Sequence, residues 1–170
     1  MTAAALSDGV AILAFLYLAA ISLVLWVVDV RRHRLPNVIV LPSYLVGAVL
    51  LFVASSVGGD LPALARAGAG CLILGGFYLL LALASPRGMG FGDVKLAGLL
   101  GLFLGWLGWG PLVVCAVVPF VAGGVFGLVL IAVRRGRAGA SIAFGPWMLA
   151  GAWLGVVVSF LPAEELLDLV

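Results

Sequence analysis

Six apolar runs constrain this chain more than any other feature; they lie at about 9–28, 38–57, 63–84, 94–110, 111–133 and 141–160. A helix crossing the ~30 Å hydrocarbon layer of a membrane needs about 20 apolar residues, and the runs match that length, the fourth being short. Composition supports the same reading. Of 170 residues, 65% are hydrophobic and 9% are charged, against about 25% charged in a soluble domain. A water-soluble fold of this size has too little interior to hide so much apolar surface. The runs are continuous rather than alternating, which argues against a β-barrel. The expected fold is all-α: a polytopic membrane helix bundle of about six transmembrane helices, forming a single domain over residues 1–170.

Charge sets the expected topology. The leading residues "MTAAALSDGV" carry no Lys or Arg, and the basic cluster "RRHR" follows the first run. That order is opposite to a cleavable signal peptide. The positive-inside rule then puts the N-terminus outside and the first loop inside. Six spans return the C-terminus to the outside and create three inner regions, 29–37, 85–95 and 134–140. Arg31, Arg32, Arg34, Arg87, Lys95, Arg134, Arg135 and Arg137 all fall there, and only Arg66 lies near the outer face.

The acids divide the other way. Asp8, Asp60, Glu164, Glu165 and Asp168 fall on the outer side or in the tail, leaving Asp29 and Asp93 as the two inner-side carboxylates. Asp29 closes the first span and Asp93 opens the fourth. Ionisable groups at membrane depth are costly and mark function, so the two acids read as a pair. The structural alternative is that Asp29 pairs with Arg31 or Arg32 and that Asp93 caps its helix, Asp being a favoured N-cap. The residues alone leave both readings open.

Asp93 follows the stretch "GMGFGD" (88–93). Gly90 and Gly92 give unusual backbone freedom and permit close approach by another segment. Irregular backbone at membrane depth survives only where protein or water covers its polar groups, so this stretch reads as an entry loop beside a wet cavity, with Asp93 at the start of a helix. A dinucleotide fingerprint does not fit, because no strand precedes the loop and the spacing is wrong. Beyond Asp93, Gly98, Gly101, Gly105 and Gly108 form a small-residue stripe that permits close helix packing in lipid. "GWGP" (108–111) is expected to turn tightly into the fifth span.

Three stretches together resemble the type IV prepilin peptidase family. "GFGDVKL" (90–96) is similar to its extended G-x-G-D signature of intramembrane aspartic proteases. "DVRRHRLPN" (29–37) resembles its aspartate-to-Leu-Pro-Asn motif, and "IAFGPWMLAGA" (142–152) its Phe-Gly-Pro segment. Presenilins and signal peptide peptidases share the G-x-G-D element but are larger, and their Tyr-Asp pair does not occur here. Longer prepilin peptidases add a cytoplasmic domain with paired cysteines associated with N-methylation. Cys71 and Cys115 lie in apolar spans without CxxC spacing and are expected to be packing residues. The resemblance therefore implies the short, peptidase-only form found with Flp/tight-adherence pili, and N-methylation is not expected of this chain.

That resemblance implies an aspartic endopeptidase with Asp29 and Asp93 catalytic. Peptide hydrolysis without a metal or a nucleophilic side chain needs one group to activate water and another to protonate the carbonyl. Two neighbouring carboxylates cannot easily both ionise, so they divide those roles and titrate as a pair. Helix dipoles favour the anion at Asp93 and disfavour it at Asp29, although Arg31 and Arg32 oppose the second effect. His33, the single histidine, lies among arginines and reads as a solvated rim residue. One histidine and two distant cysteines do not make a metal site, so no metal or cofactor is expected.

Supporting roles are expected for other inner-side residues. Pro36 and Asn37 set the loop and the start of the second helix. Lys95 tunes the pair, meets a substrate carboxylate, or snorkels to the interface. Phe144, Gly145 and Pro146 break the inner end of the sixth span, where an extended substrate enters. The implied substrate is a type IV pilin-like precursor, cut near the inner membrane face. Such leaders are basic and so is this rim, so the rim is expected to meet anionic lipid; no nucleic-acid partner is expected. Two further readings stay open: a small ion- or proton-coupled transporter, and a non-catalytic membrane subunit of a pilus or secretion assembly.

Overall fold

The computed structural model describes residues 2–32, 35–85, 89–133 and 144–161. They form six α-helices and no strand: α1 (Ala3–Arg32), α2 (Asn37–Gly58), α3 (Leu61–Ala84), α4 (Phe91–Leu107), α5 (Trp109–Val133) and α6 (Gly145–Val158). The all-α polytopic bundle expected from the apolar runs is the fold observed. Of these helices, α1, α2, α3 and α5 are long and apolar enough to cross a membrane. The 17 residues of α4 and the 14 of α6 extend about 25 Å and 21 Å at ~1.5 Å per residue. Both are therefore shorter than a full hydrocarbon crossing.

The brevity of α4 follows from its position. Every residue from Leu96 to Gly105 is buried, so its apolar faces meet other helices on all sides. Leu96, Ala97, Leu99, Leu100, Phe103 and Leu104 are all fully enclosed. Lipid is met instead by the outward faces of α1, α2, α3 and α5, where residues such as Leu23, Leu45, Leu72 and Leu128 are about 70–76% exposed. A helix enclosed by protein does not have to match the bilayer by itself.

Glycine contacts fix α3 against α4. Gly70 lies on Gly101 and Gly105, and Gly75 lies on Gly98. A Cβ on Gly75 would sit 3.2 Å from the Gly98 Cα, and one on Gly105 only 2.6 Å from the Arg66 carbonyl oxygen. The expected stripe is thus a packing face for three of its four glycines. Gly108 is the exception: its φ of 153° places it in the turn that caps α4 and leads directly into α5. Gly105→Leu is expected to cost about 1–3 kcal/mol through overpacking, whereas Gly68→Ala, with open space around it, is expected to be neutral. Thermal unfolding of the two variants in detergent compares them.

Polar side chains join the helices where lipid offers them no partner. The Tyr17 hydroxyl and Ser43 Oγ are 2.9 Å apart across α1 and α2. Tyr44 donates to the Lys95 carbonyl at 2.6 Å, and Trp106 Nε1 donates to Ser55 Oγ at 2.8 Å. At the far end, α2 stops at Gly59, whose φ of 74° suits the left-handed cap that glycine adopts without strain. Asp60 then caps α3 by accepting from the Ala63 N–H at 3.0 Å. Cys71 is half-buried and Cys115 buried, both as free thiols.

Candidate functional site

Asp29 lies in the last turn of α1, yet its carboxylate turns inward and is only 4% exposed. The Gly145 N–H donates to its Oδ2 at 3.1 Å, a contact spanning 116 positions of sequence. Local sequence explains why α6 begins there. Pro146 occupies the first turn, where its missing N–H is no loss, and Phe144 is the N-cap residue. Glycine is required at 145 by close approach: a Cβ there would sit 2.5 Å from Asp29 Oδ2 and 3.1 Å from its Cγ.

Asp93 lies in the first turn of α4 and is half-buried. The N-cap is Gly90, not Asp93; the Asp93 N–H donates to the Gly90 carbonyl at 3.1 Å. The expected entry loop therefore ends at Gly90, and Phe91 and Gly92 are already helical. Gly92 serves close approach instead, since a Cβ there would lie 3.2 Å from Leu35 Cβ and 3.4 Å from Leu35 N. Gly90 faces ordinary space, with Asp93 Oδ2 at 3.8 Å from a built Cβ. Asp93 and Asp29 are close enough to interact electrostatically.

The remaining sequence-predicted residues gather around the same end of the bundle. Pro36 is the N-cap residue of α2, with extended backbone (φ −73°, ψ 127°), and Asn37 is the first helical residue. Lys95 Nζ donates to Asn37 Oδ1 at 2.9 Å, joining the start of α2 to α4. This inter-helix link is a further role for Lys95, beside the three expected from the sequence. The Phe144 ring lies tilted against Phe120 at 5.4 Å and against Tyr78 at 6.2 Å. His33, Arg34 and Arg87 lie outside the described residues, as do the basic segment 134–140 and the tail acids.

The three motif stretches thus meet at one place. The Leu-Pro-Asn segment touches the G-x-G-D helix through Leu35 on Gly92 and through Asn37 on Lys95. The Phe-Gly-Pro segment touches the first motif through Gly145 on Asp29. Sequence reasoning treated Gly145 as part of a helix break and missed its backbone donor. It also passed over Tyr78, a fully buried residue whose ring lies 6.2 Å from that of Phe144. The available signal was a tyrosine within an apolar span, since a buried phenol seeks a polar partner. The helix-end argument changes as well. Asp29 closes its own helix but its carboxylate sits at the N-terminus of α6, so dipoles no longer separate the two acids.

Chemically, two carboxylates at the edge of a bundle, one held by a backbone N–H and one on the first turn of a rigidly packed helix, suit paired acid–base work. The model of the type IV leader peptidase family matches residues 16–133. A prepilin leader peptidase/N-methyltransferase of Aeromonas salmonicida is 33% identical over 161 residues, covering 92% of this chain and 53% of that protein. Proteins of the same name from Pseudomonas putida and Aeromonas hydrophila are 34% and 31% identical, covering 79% and 89% of this chain and 46% and 51% of their own. The chain spans about half the length of these curated relatives. No solved structure gives a significant match.

Proposed function

Since the chain belongs to the type IV leader peptidase family, we propose that it is an aspartic endopeptidase acting on type IV pilin-like precursors, with Asp29 and Asp93 as its catalytic pair. The observation that carries this reading is the meeting of the three motif stretches around two acids that interact with each other. One aspartate takes a proton from water as the oxygen attacks the scissile carbonyl carbon, and the other protonates the carbonyl oxygen. Collapse of the tetrahedral intermediate breaks the C–N bond and passes a proton to the leaving amine. Close carboxylates share one proton between them, which supplies the base and the acid together.

The finer reading places this protein in a bacterial cytoplasmic membrane, with the pair near the inner face and anionic lipid against the basic rim. The substrate leader is short and cytoplasmic and precedes an apolar helix, as in Flp/tight-adherence pilins. Phe144, Gly145 and Pro146 border the path by which the extended leader reaches the pair, and Lys95, Asn37 and Pro36 hold the α2–α4 side in place. A transporter would more naturally hold its acids at the bilayer midplane, whereas Asp29 and Asp93 lie at helix ends. Co-expression with an Flp-type prepilin tests the reading by gel mobility. Leader removal in the presence of the protein is the expected result; an unprocessed precursor with protein abundant in the membrane contradicts it.

A further inference from the structure

Tyr78 is 0% exposed, and its phenol oxygen has no hydrogen-bond partner among the described residues. An unpartnered buried hydroxyl is costly and rare in folded proteins, so its position requires an explanation. Tyr78 lies in the last third of α3. The α3–α4 register set by Gly70 on Gly101 and Gly75 on Gly98 brings that part of α3 level with the first turn of α4, where Asp93 sits. The Tyr78 ring is held from the other side by Phe120, at 5.5 Å, and by Phe144, at 6.2 Å. Phe144 immediately precedes the glycine that donates to Asp29. Tyr78 is therefore enclosed between the helix that carries Asp93 and the start of α6, which donates to Asp29.

We propose that Tyr78 is a positioning residue of the aspartate pair, its hydroxyl donating a hydrogen bond, directly or through one water, to the Asp93 carboxylate in the working site. The consequence for catalysis rests on the peptidase reading; the contact itself does not. Fixing Asp93 through a rigid aromatic wall limits the rotation of a carboxylate that otherwise stands half-exposed at a helix start. A tyrosine kept only for packing would make no use of its oxygen, and removing that oxygen would leave the acid unchanged.

Tyr78→Phe preserves the ring packing and deletes the oxygen. With purified protein in liposomes, kcat for prepilin cleavage is expected to fall about 10- to 100-fold, the equivalent of one hydrogen bond to a charged group, with KM nearly unchanged. Infrared difference spectra between the wild type and Asp93→Asn identify the Asp93 carboxyl band, and Tyr78→Phe is expected to move it. The Tm changes of Tyr78→Phe and Asp93→Asn are expected to be non-additive, as for residues in contact. Wild-type kcat in Tyr78→Phe, or an unmoved Asp93 band, overturns the proposal. If the wild type itself cleaves no prepilin, the peptidase reading fails, while the band shift and the Tm cycle still decide the Tyr78–Asp93 contact.

Discussion

Asp29→Asn and Asp93→Asn are each expected to lower the initial rate of leader cleavage by at least about 10³-fold, a loss in the range of positioned acid–base groups. Asparagine keeps the shape of the side chain and an acceptor oxygen. At position 29 that oxygen can still receive the Gly145 N–H, which donates at 3.1 Å in the wild type, so both variants are expected to accumulate in the membrane. The double variant is expected to be no slower than either single one, because residues acting as a unit are strongly non-additive. Initial rates with proteoliposomes and a purified prepilin measure all three. Additive losses would mean that the two acids work independently.

Gly145→Ala is expected to have the second-largest effect, although the substituted residue carries no chemistry. The added carbon would stand 2.5 Å from Asp29 Oδ2 and 3.1 Å from Cγ, so one of the two must move. Pro146 and the buried Met148 and Leu149 hold the start of α6, so the Asp29 carboxylate is the more movable partner. Misplacing a catalytic group by about 1 Å costs on the order of 10²-fold in rate. The accompanying stability loss is expected to be about 1–3 kcal/mol. Gly124→Ala, in open space on α5, is the control and is expected to stay within about twofold. Equal rates for Gly145→Ala and the control would remove Gly145 from the site.

Much of the architecture was legible because hydropathy is a local property. Apolar runs near 20 residues predict helices wherever they occur, and α1, α2, α3 and α5 follow them. Helix ends were harder to read: α4 has the 17 residues of its short run but begins three positions earlier, and α1 runs from Ala3 to Arg32 rather than over 9–28. Glycine was the main source of error. Gly92 was expected both to shape a loop and to permit a close approach; it serves the approach, to Leu35, but from within a helix, and composition cannot distinguish the two uses. Gly108 was read both as part of a packing stripe and as the start of a tight turn, and its positive φ shows that only the second holds.

The candidate site shows the same division. Asp29 and Asp93 were visible because charges in an apolar chain are few and because the basic residues around them set these two acids apart from the others. The contacts that hold them were not visible. Gly145 reaches Asp29 across 116 positions, and no local pattern encodes that distance. Dipole reasoning considered only the helix to which each acid belongs and so overlooked α6. Tyr78 was hidden for a related reason: its relation to Asp93 depends on the register of α3 against α4, which the glycine contacts set only in three dimensions.

The central claim is that Asp29 and Asp93 together cut a pilin-like precursor. The most direct measurement is mass spectrometry of a purified prepilin after incubation with the purified protein in liposomes. The expected result is two products whose masses together equal the precursor plus one water, with none formed by Asp93→Asn. An intact precursor with the wild type, or the same two products with Asp93→Asn, would contradict the account.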